Sequence, residues 1–156
     1  MISVQPSLLS YIDGIDEFYE GLISKERVKG INPIKKISDL GIAVCFNSDA
    51  PASDPDPIMW IHDACNNKNP DQSVSVYEAL RMATYYGAYS CFDEKERGTL
   101  EMGKSCDLVV LDKNPFEIPK EELNTINVSE LYLKGKPYKR SRTGSMATML
   151  RGMFPQ

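Results

Sequence analysis

An α/β fold with a small β appendage is predicted from three observations. Residues Ile42, Ala43, Val44, Cys45 and Phe46 form an unbroken apolar run, as in strands that helices cover on both faces of a parallel sheet. A strand-like start at residues 2–5 and a helical pattern at 34–40 complete strand, helix, strand, the right-handed parallel crossover unit. Beyond residue 98 the character changes to short apolar runs separated by turns containing Gly and Lys.

The elements follow in order. Residues 2–5 alternate and stop at Pro6, and a chain that opens on a strand with no lead-in is expected to have lost what came before it. Between residues 7 and 30, Ile12, Ile15, Phe18, Tyr19, Leu22 and Ile23 fall at helical spacing, with a break expected near Gly14 or Gly21. Lys25, Glu26, Arg27 and Val28 read as a polar lead into a turn at Gly30. Asn32 and Pro33 read as cap and first position of a helix that keeps Ile34, Ile37 and Leu40 on one side and stops at Gly41. After the 42–46 strand, Asp56 and Pro57 open a helix over 58–66 that carries Trp60 and His62. Ser75 and Glu78 form a capping box, starting a helix expected to run to Phe92 with Val76, Ala79, Leu80, Ala83 and Gly87 facing inward. Thr99, Leu100 and Glu101 read as a brief strand, Met102–Gly103–Lys104 as a turn, and residues 108–111 as a buried strand that Asn114–Pro115 ends. A strand at 131–133 and a turn at Lys134–Gly135–Lys136 close a hairpin. The expected division is 1–97 for the α/β part, 98–140 for the β part and 141–156 for a tail. From Leu131 onward six Lys or Arg residues occur with no acid, and Met146, Met149, Leu150, Met153 and Phe154 give the tail a short amphipathic face. Such a face can dock on a membrane or a partner, but more commonly packs on its own domain.

The 156 residues suffice for one domain with a core and fall short of the ~250 of a complete (β/α)8 barrel. A net charge of −4 argues against a general nucleic-acid binder. No apolar run is long enough to span a membrane, and no signal peptide is recognisable. Cys45, Cys65, Cys91 and Cys106 contain no C-x-x-C pair and read as reduced thiols in a cytoplasmic setting.

Chemistry points first to Asp49. It follows the buried run at 42–46, and in α/β folds ligands gather beyond the carboxyl ends of strands. Pro51 keeps the residue before it out of helical geometry and stiffens the loop. The alternative is an aspartate that only caps a turn or the next helix. Asp54 and Asp56 could bind a cation, although a proline-rich acidic loop is ordinarily just solvated. His62 is the single histidine, so this chain alone cannot build a metal centre on histidines, and a Ser-His-Asp arrangement cannot be argued from it. No Gly-rich phosphate loop or nucleophile elbow occurs.

Several stretches carry a resemblance. Ser3-Val4-Gln5-Pro6 resembles a barrel strand with a Gln-Pro step. Residues 41–51 resemble a last barrel strand read as G-x-x-x-x-x-G-S-D-x-P, and residues 75–84 resemble the helix after it. Residues 98–112 resemble G-x-L-E-x-G-K-x-A-D-L-V-V-L-D, the return into a β-sandwich, and Leu133-Lys134-Gly135-Lys136-Pro137 resembles its closing hairpin. On these motifs residues 2–140 resemble the C-terminal part of a metal-dependent amidohydrolase of the YtcJ-like (amidohydrolase 3) branch. The fold this implies is α/β: the last two β/α units of a TIM barrel plus the C-terminal strands of the small composite β-sandwich.

The resemblance implies roles. Asp49 stands where the family's aspartate binds the catalytic metal, zinc for preference, or contacts its water and acts as general base. Gln5 and Ser48 stand where substrate contacts are expected. The implied reaction is hydrolysis of a non-peptide C–N bond in a small molecule: an amide, N-formyl compound or cyclic amide. Three departures qualify it. Asn47 replaces the glycine before Ser-Asp, Cys106 stands where alanine is usual, and no histidine occurs near Leu8. The family's His-x-His and later metal histidines have no counterpart in the chain. The residues alone are therefore expected to be inactive. Open strand edges would invite an N-terminal barrel half or self-association. A third reading, an unrelated small binding domain, requires that strand 108–111 not pair with strand 131–133.

Overall fold

The computed structural model of the chain describes residues 1–11 and 15–138. Strands β1 (Ile2–Val4) and β2 (Val44–Phe46) pair in parallel, Ile2 opposite Val44 and Val4 opposite Phe46. Helices α1 (Leu8–Tyr11), α2 (Ile15–Ile23), α3 (Lys25–Val28) and α4 (Ile34–Asp39) lie in the connection, so the predicted order of strand, helix and parallel strand is present. Gly21 falls inside α2 rather than breaking it, and the polar run at 25–28 makes a helical turn. Gly14, Ile12 and the tail with Met146, Met149, Leu150, Met153 and Phe154 lie outside the described residues.

Gly41 ends α4 as predicted. It sits at φ 74°, its N–H donates to Ser38 O at 2.9 Å, and the Ile42 N–H donates to Ile37 O at 3.3 Å. These two bonds make a Schellman motif. They also explain why the strand starts at Val44 and not Ile42: Ile42 belongs to the helix stop and remains 37 % exposed. The expectation that Asn32 caps α4 is corrected. The cap position is Pro33, with no side-chain cap, and Asn32 stands at φ 53° with its amide donating to Gln5 O at 2.9 Å. Asparagine tolerates this left-handed backbone, and its side chain ties the approach of α4 to the end of β1.

Helix α5 (Pro57–Cys65) opens on Asp56, whose Oδ1 accepts from Ile58 N at 3.0 Å and Met59 N at 3.3 Å. Helix α6 (Val76–Ala83) opens on the predicted capping box, Glu78 N to Ser75 Oγ at 3.2 Å and Ser75 N to Glu78 Oε2 at 2.8 Å. The predicted continuation to Phe92 is not met. Thr84 breaks it at φ −119°, ψ −80°, donating its hydroxyl to Leu80 O, and α7 (Tyr85–Ser90) starts anew. A threonine hydroxyl bonded back to the preceding turn competes with helix propagation. Ala79 and Met82 are buried on α6; Met82 was not part of the predicted stripe.

The second half forms an antiparallel sheet of β3 (Leu108–Leu111), β4 (Val128–Leu133) and β5 (Lys136–Pro137). Leu108 faces Tyr132 and Val109 faces Leu131, so the two runs do pair and the unrelated-domain reading fails. Lys134 and Gly135 turn the hairpin at φ 51° and 72°, the pair of positive angles a tight hairpin needs. Two expectations are corrected. Residues 99–101 form no strand and Leu100 is 79 % exposed, since the chain here follows a turn at Gly98 rather than a neighbouring strand. Strand β3 is only partly covered, with Val109 52 % exposed.

One core serves both halves. Ile34, Val44, Phe46, Ala64, Ala79 and Met82 meet Leu123 and Ile126 from the second half. The 3-10 segment Lys120–Thr125 presents Leu123 to this core, and Asn66 Nδ2 fastens it by donating to Lys120 O at 2.8 Å. Among the described residues no helix is long and apolar enough to cross a membrane.

Candidate active-site loop at the end of β2

The loop after Phe46 is organised by Asn47. Its N–H continues the ladder to Val4 O at 3.0 Å, and its Nδ2 donates to Ser3 Oγ at 2.5 Å. Its Oδ1 accepts from Gln5 Nε2 at 3.1 Å and from Asp49 N at 3.0 Å. One side chain therefore joins the ends of both parallel strands and folds the next two residues into an Asx turn. Glycine would keep the ladder bond to Val4 but could supply none of the side-chain bonds. The signal was available, because Asn47 stood out as a departure from the family pattern, but its role as the hub was not legible.

Asp49 is exposed at φ 53°, where aspartate is tolerated better than most residues. Its carboxylate takes no hydrogen bond or ion pair from the described residues. Its carbonyl accepts from Ala52 N at 2.8 Å, closing a turn. Ser48, 8 % exposed, accepts from Ala50 N on its hydroxyl at 3.2 Å, and its carbonyl accepts from Ser53 Oγ at 2.7 Å. Gln5 is half-buried beside Asn47. Gln5, Ser48 and Asp49 thus come together at the carboxyl ends of β1 and β2.

A divalent metal is implied by the resemblance, and the described residues do not fit one by themselves. No group of three or more His, Cys, Asp or Glu side chains converges among them. His62 sits on α5 with Nδ1 2.9 Å from Asp63 Oδ1, a pair that is ionic only when the imidazole is protonated. Cys65 is buried, which pushes its thiol up to about 11; it is neither nucleophile nor ready ligand.

The motif at 98–112 does structural work. A Cβ on Gly98 would lie 2.7 Å from Ala88 Cβ and 3.1 Å from Tyr85 Cα, at φ 92°. Lys104 Nζ donates to Glu94 O and Thr99 Oγ1, both at 2.7 Å. Asp107 Oδ1 accepts from Lys134 N at 2.7 Å, and that N–H holds its carboxyl below the usual aspartate range.

A parallel strand pair with a carboxylate loop at its end, continued by an antiparallel hairpin, defines a mixed α/β molecule with its candidate site at the strand termini. The chain belongs to the amidohydrolase family: the model described as "Amidohydrolase family" matches residues 1–138. It is 34 % identical over 120 residues to an N-substituted formamide deformylase of Arthrobacter pascens, covering 72 % of this chain and 22 % of that protein. It is 37 % identical over 116 residues to a 5-methylthioadenosine/S-adenosylhomocysteine deaminase of Caldanaerobacter subterraneus subsp. tengcongensis, covering 70 % of this chain and 27 % of that protein. The match therefore spans about a quarter of these relatives' length. Among solved structures, a zinc-bound adenosine deaminase from Xanthomonas campestris superposes with a TM-score of 0.60 at 21 % identity, over 78 % of this chain and 32 % of that one. That likeness is one of fold.

Proposed function

We propose that the chain is the C-terminal part of a metal-dependent hydrolase of non-peptide C–N bonds in small molecules, with Asp49 as its contribution to catalysis. One observation carries the reading: a carboxylate with no described partner stands exposed where a buried parallel strand ends, on a backbone fixed by Asn47. Its place in the family pattern and the name of the formamide deformylase relative support the bond class. Gln5 and Ser48 are assigned to substrate. The Gln5 side-chain oxygen is bonded by no described residue, and the Ser48 hydroxyl accepts from Ala50 N while keeping its proton to donate. Divisions at residues 97 and 140 and a cytoplasmic setting belong to the same reading; four free cysteines favour the latter.

The ligand set of Asp49 has to be completed from beyond the described residues, so the isolated chain is inactive in this reading. A specific observation favours association. Among the described residues β1 pairs only with β2, leaving an outer edge on each strand, and Ile2, Leu40 and Ile42 are 39 %, 70 % and 37 % exposed. Such edges and apolar side chains suit an N-terminal barrel half or a second copy.

A chimaera tests the assignment. This chain replaces the matching C-terminal share of the formamide deformylase, and release of formate from an N-substituted formamide is followed. Turnover is expected, with a loss of about a hundredfold or more on Asp49→Asn, the scale of a general base. Undiminished turnover by that variant would remove Asp49 from catalysis. Turnover by the isolated zinc-loaded chain would overturn the incomplete-site reading.

A further inference from the structure

We propose that a cavity between the turn after β1 and helix α5 binds small primary ammonium compounds. It encloses about 250 Å³ and is lined by Ser7, Ser10, Asp54, Asp56, Met59 and Asp63. Asp49 is not among these residues, so the site does not depend on the hydrolase reading.

Two of the lining side chains have an unmet bond. Asp63 and Ser7 are each 7 % exposed, and Asp63 Oδ2 and Ser7 Oγ are buried with no hydrogen-bond partner among the described residues. Buried polar atoms are nearly always bonded, and an exception asks for an explanation. Asp63 uses only Oδ1, towards His62 Nδ1. Its other oxygen lacks a donor, a costly state for a buried carboxyl.

The chemistry selects the ligand. Among the described residues that line it, three of six are carboxylic and none is cationic, so the cavity favours positive charge. A bare metal ion is a poor fit. It needs several oxygens drawn in to about 2.0–2.6 Å, whereas no three carboxylate, thiol or imidazole groups converge among the described residues. Asp56 moreover has one of its two oxygens, Oδ1, committed to the Ile58 and Met59 amides. A primary ammonium brings three N–H donors on a compact centre. In this proposal a small rotation of Ser7 and Asp63 presents their free oxygens to two of them, and Asp54, also in the lining, takes the third. The volume exceeds that of a single water several times over. It therefore accommodates a short alkyl body, which the Met59 thioether can cover.

The test is isothermal titration of the full chain with n-butylammonium chloride at constant ionic strength, with n-butanol as neutral comparator. Saturable binding of one n-butylammonium per chain is expected, with none by n-butanol. Asp63→Asn keeps an oxygen for His62 and removes the charge; it should weaken binding at least tenfold. Ser7→Ala, which leaves the charge in place, should weaken it two- to fivefold. In thermal melts n-butylammonium should raise the midpoint of the native chain and leave Asp63→Asn unmoved, a readout that also shows whether the variant folds. Equal binding of n-butanol, unweakened binding by both variants, absence of n-butylammonium binding, or calcium chloride displacing the amine at one ion per chain would each overturn the proposal.

Discussion

The two β regions of this molecule are stabilised differently. Every residue of β2 is buried, and around it Ile34, Ala64 and Ala79 have no exposed surface. That region is held by apolar burial. Strand β4, by contrast, is exposed along most of its length, and β3 exposes both of its central residues. The hairpin is held by its ladder and by two carboxylate clamps. Asp107 Oδ1 accepts from Lys134 N at 2.7 Å, and Asp112 Oδ1 accepts from Asn127 N at 2.8 Å. The difference teaches where each region should fail: the first when a cavity is opened, the second when a clamp is discharged.

The sharpest way to break this contrast is at the bolt between the regions. Leu123 lies in the hairpin half by sequence and in the shared core by packing, 1 % exposed. Leu123→Ala should cost about 2–5 kcal/mol, the range for a buried leucine whose site cannot collapse. Val109→Ala, at a position 52 % exposed, should cost less than about 1 kcal/mol. Urea unfolding of both variants measures this. Equal losses would mean that the hairpin does not lean on the core through Leu123.

The same bolt shows what the sequence could not disclose. Local signals were legible wherever chemistry and geometry coincide within a few residues: Ser75 with Glu78, Asp56 with Pro57, Gly41 after α4, and the hairpin turn at Lys134 and Gly135. Leu123 and Ile126 sit three apart among Glu, Asn and Thr, too short a pattern to mark a 3-10 segment that buries a leucine. The break at Thr84 depends on a hydroxyl choosing the Leu80 carbonyl, one of several options open to threonine. In the candidate site, the position of Asp49 after a strand was legible. The bonds of Asn47 to Ser3 and Gln5 span 44 and 42 residues, and no local pattern encodes them.

A second contrast lies between two glycines of one motif. Gly98 and Gly103 stand at φ 92° and 93°, so either alanine variant carries backbone strain. Only Gly98 also meets Ala88 Cβ at 2.7 Å, while Gly103 has nothing within 4 Å. Gly98→Ala should therefore cost more than Gly103→Ala, the latter about 1–3 kcal/mol from backbone strain alone. Thermal melts of the two variants separate the steric part from the strain. Equal midpoints would show that the loop at residue 98 yields freely and does not fix the return of the chain towards β3.

The gentlest test uses acid. The Lys134 N–H holds the Asp107 carboxyl below the usual aspartate range, and the Asn127 main-chain and side-chain N–H groups do the same for Asp112. A carboxyl depressed in the folded state stabilises fully above its unfolded pKa and loses that contribution as pH falls through the folded value. The hairpin clamps should therefore weaken from about pH 4 downward and be indifferent between pH 5 and 7. Glu78 at the start of α6 is also held down, chiefly by the Ser75 N–H, so α6 is no fair reference. Strand β2 is the better one, since its buried residues are Val44, Cys45 and Phe46 and none is acidic. Amide exchange followed by NMR should show protection in β3 and β4 falling before that of β2 as pH drops from 5 to about 3. Asp107→Asn combined with Asp112→Asn should lower hairpin protection at pH 6 and flatten its acid dependence. If β2 and β4 lose protection together in the native chain, the clamps do not act locally and the two regions unfold as one unit.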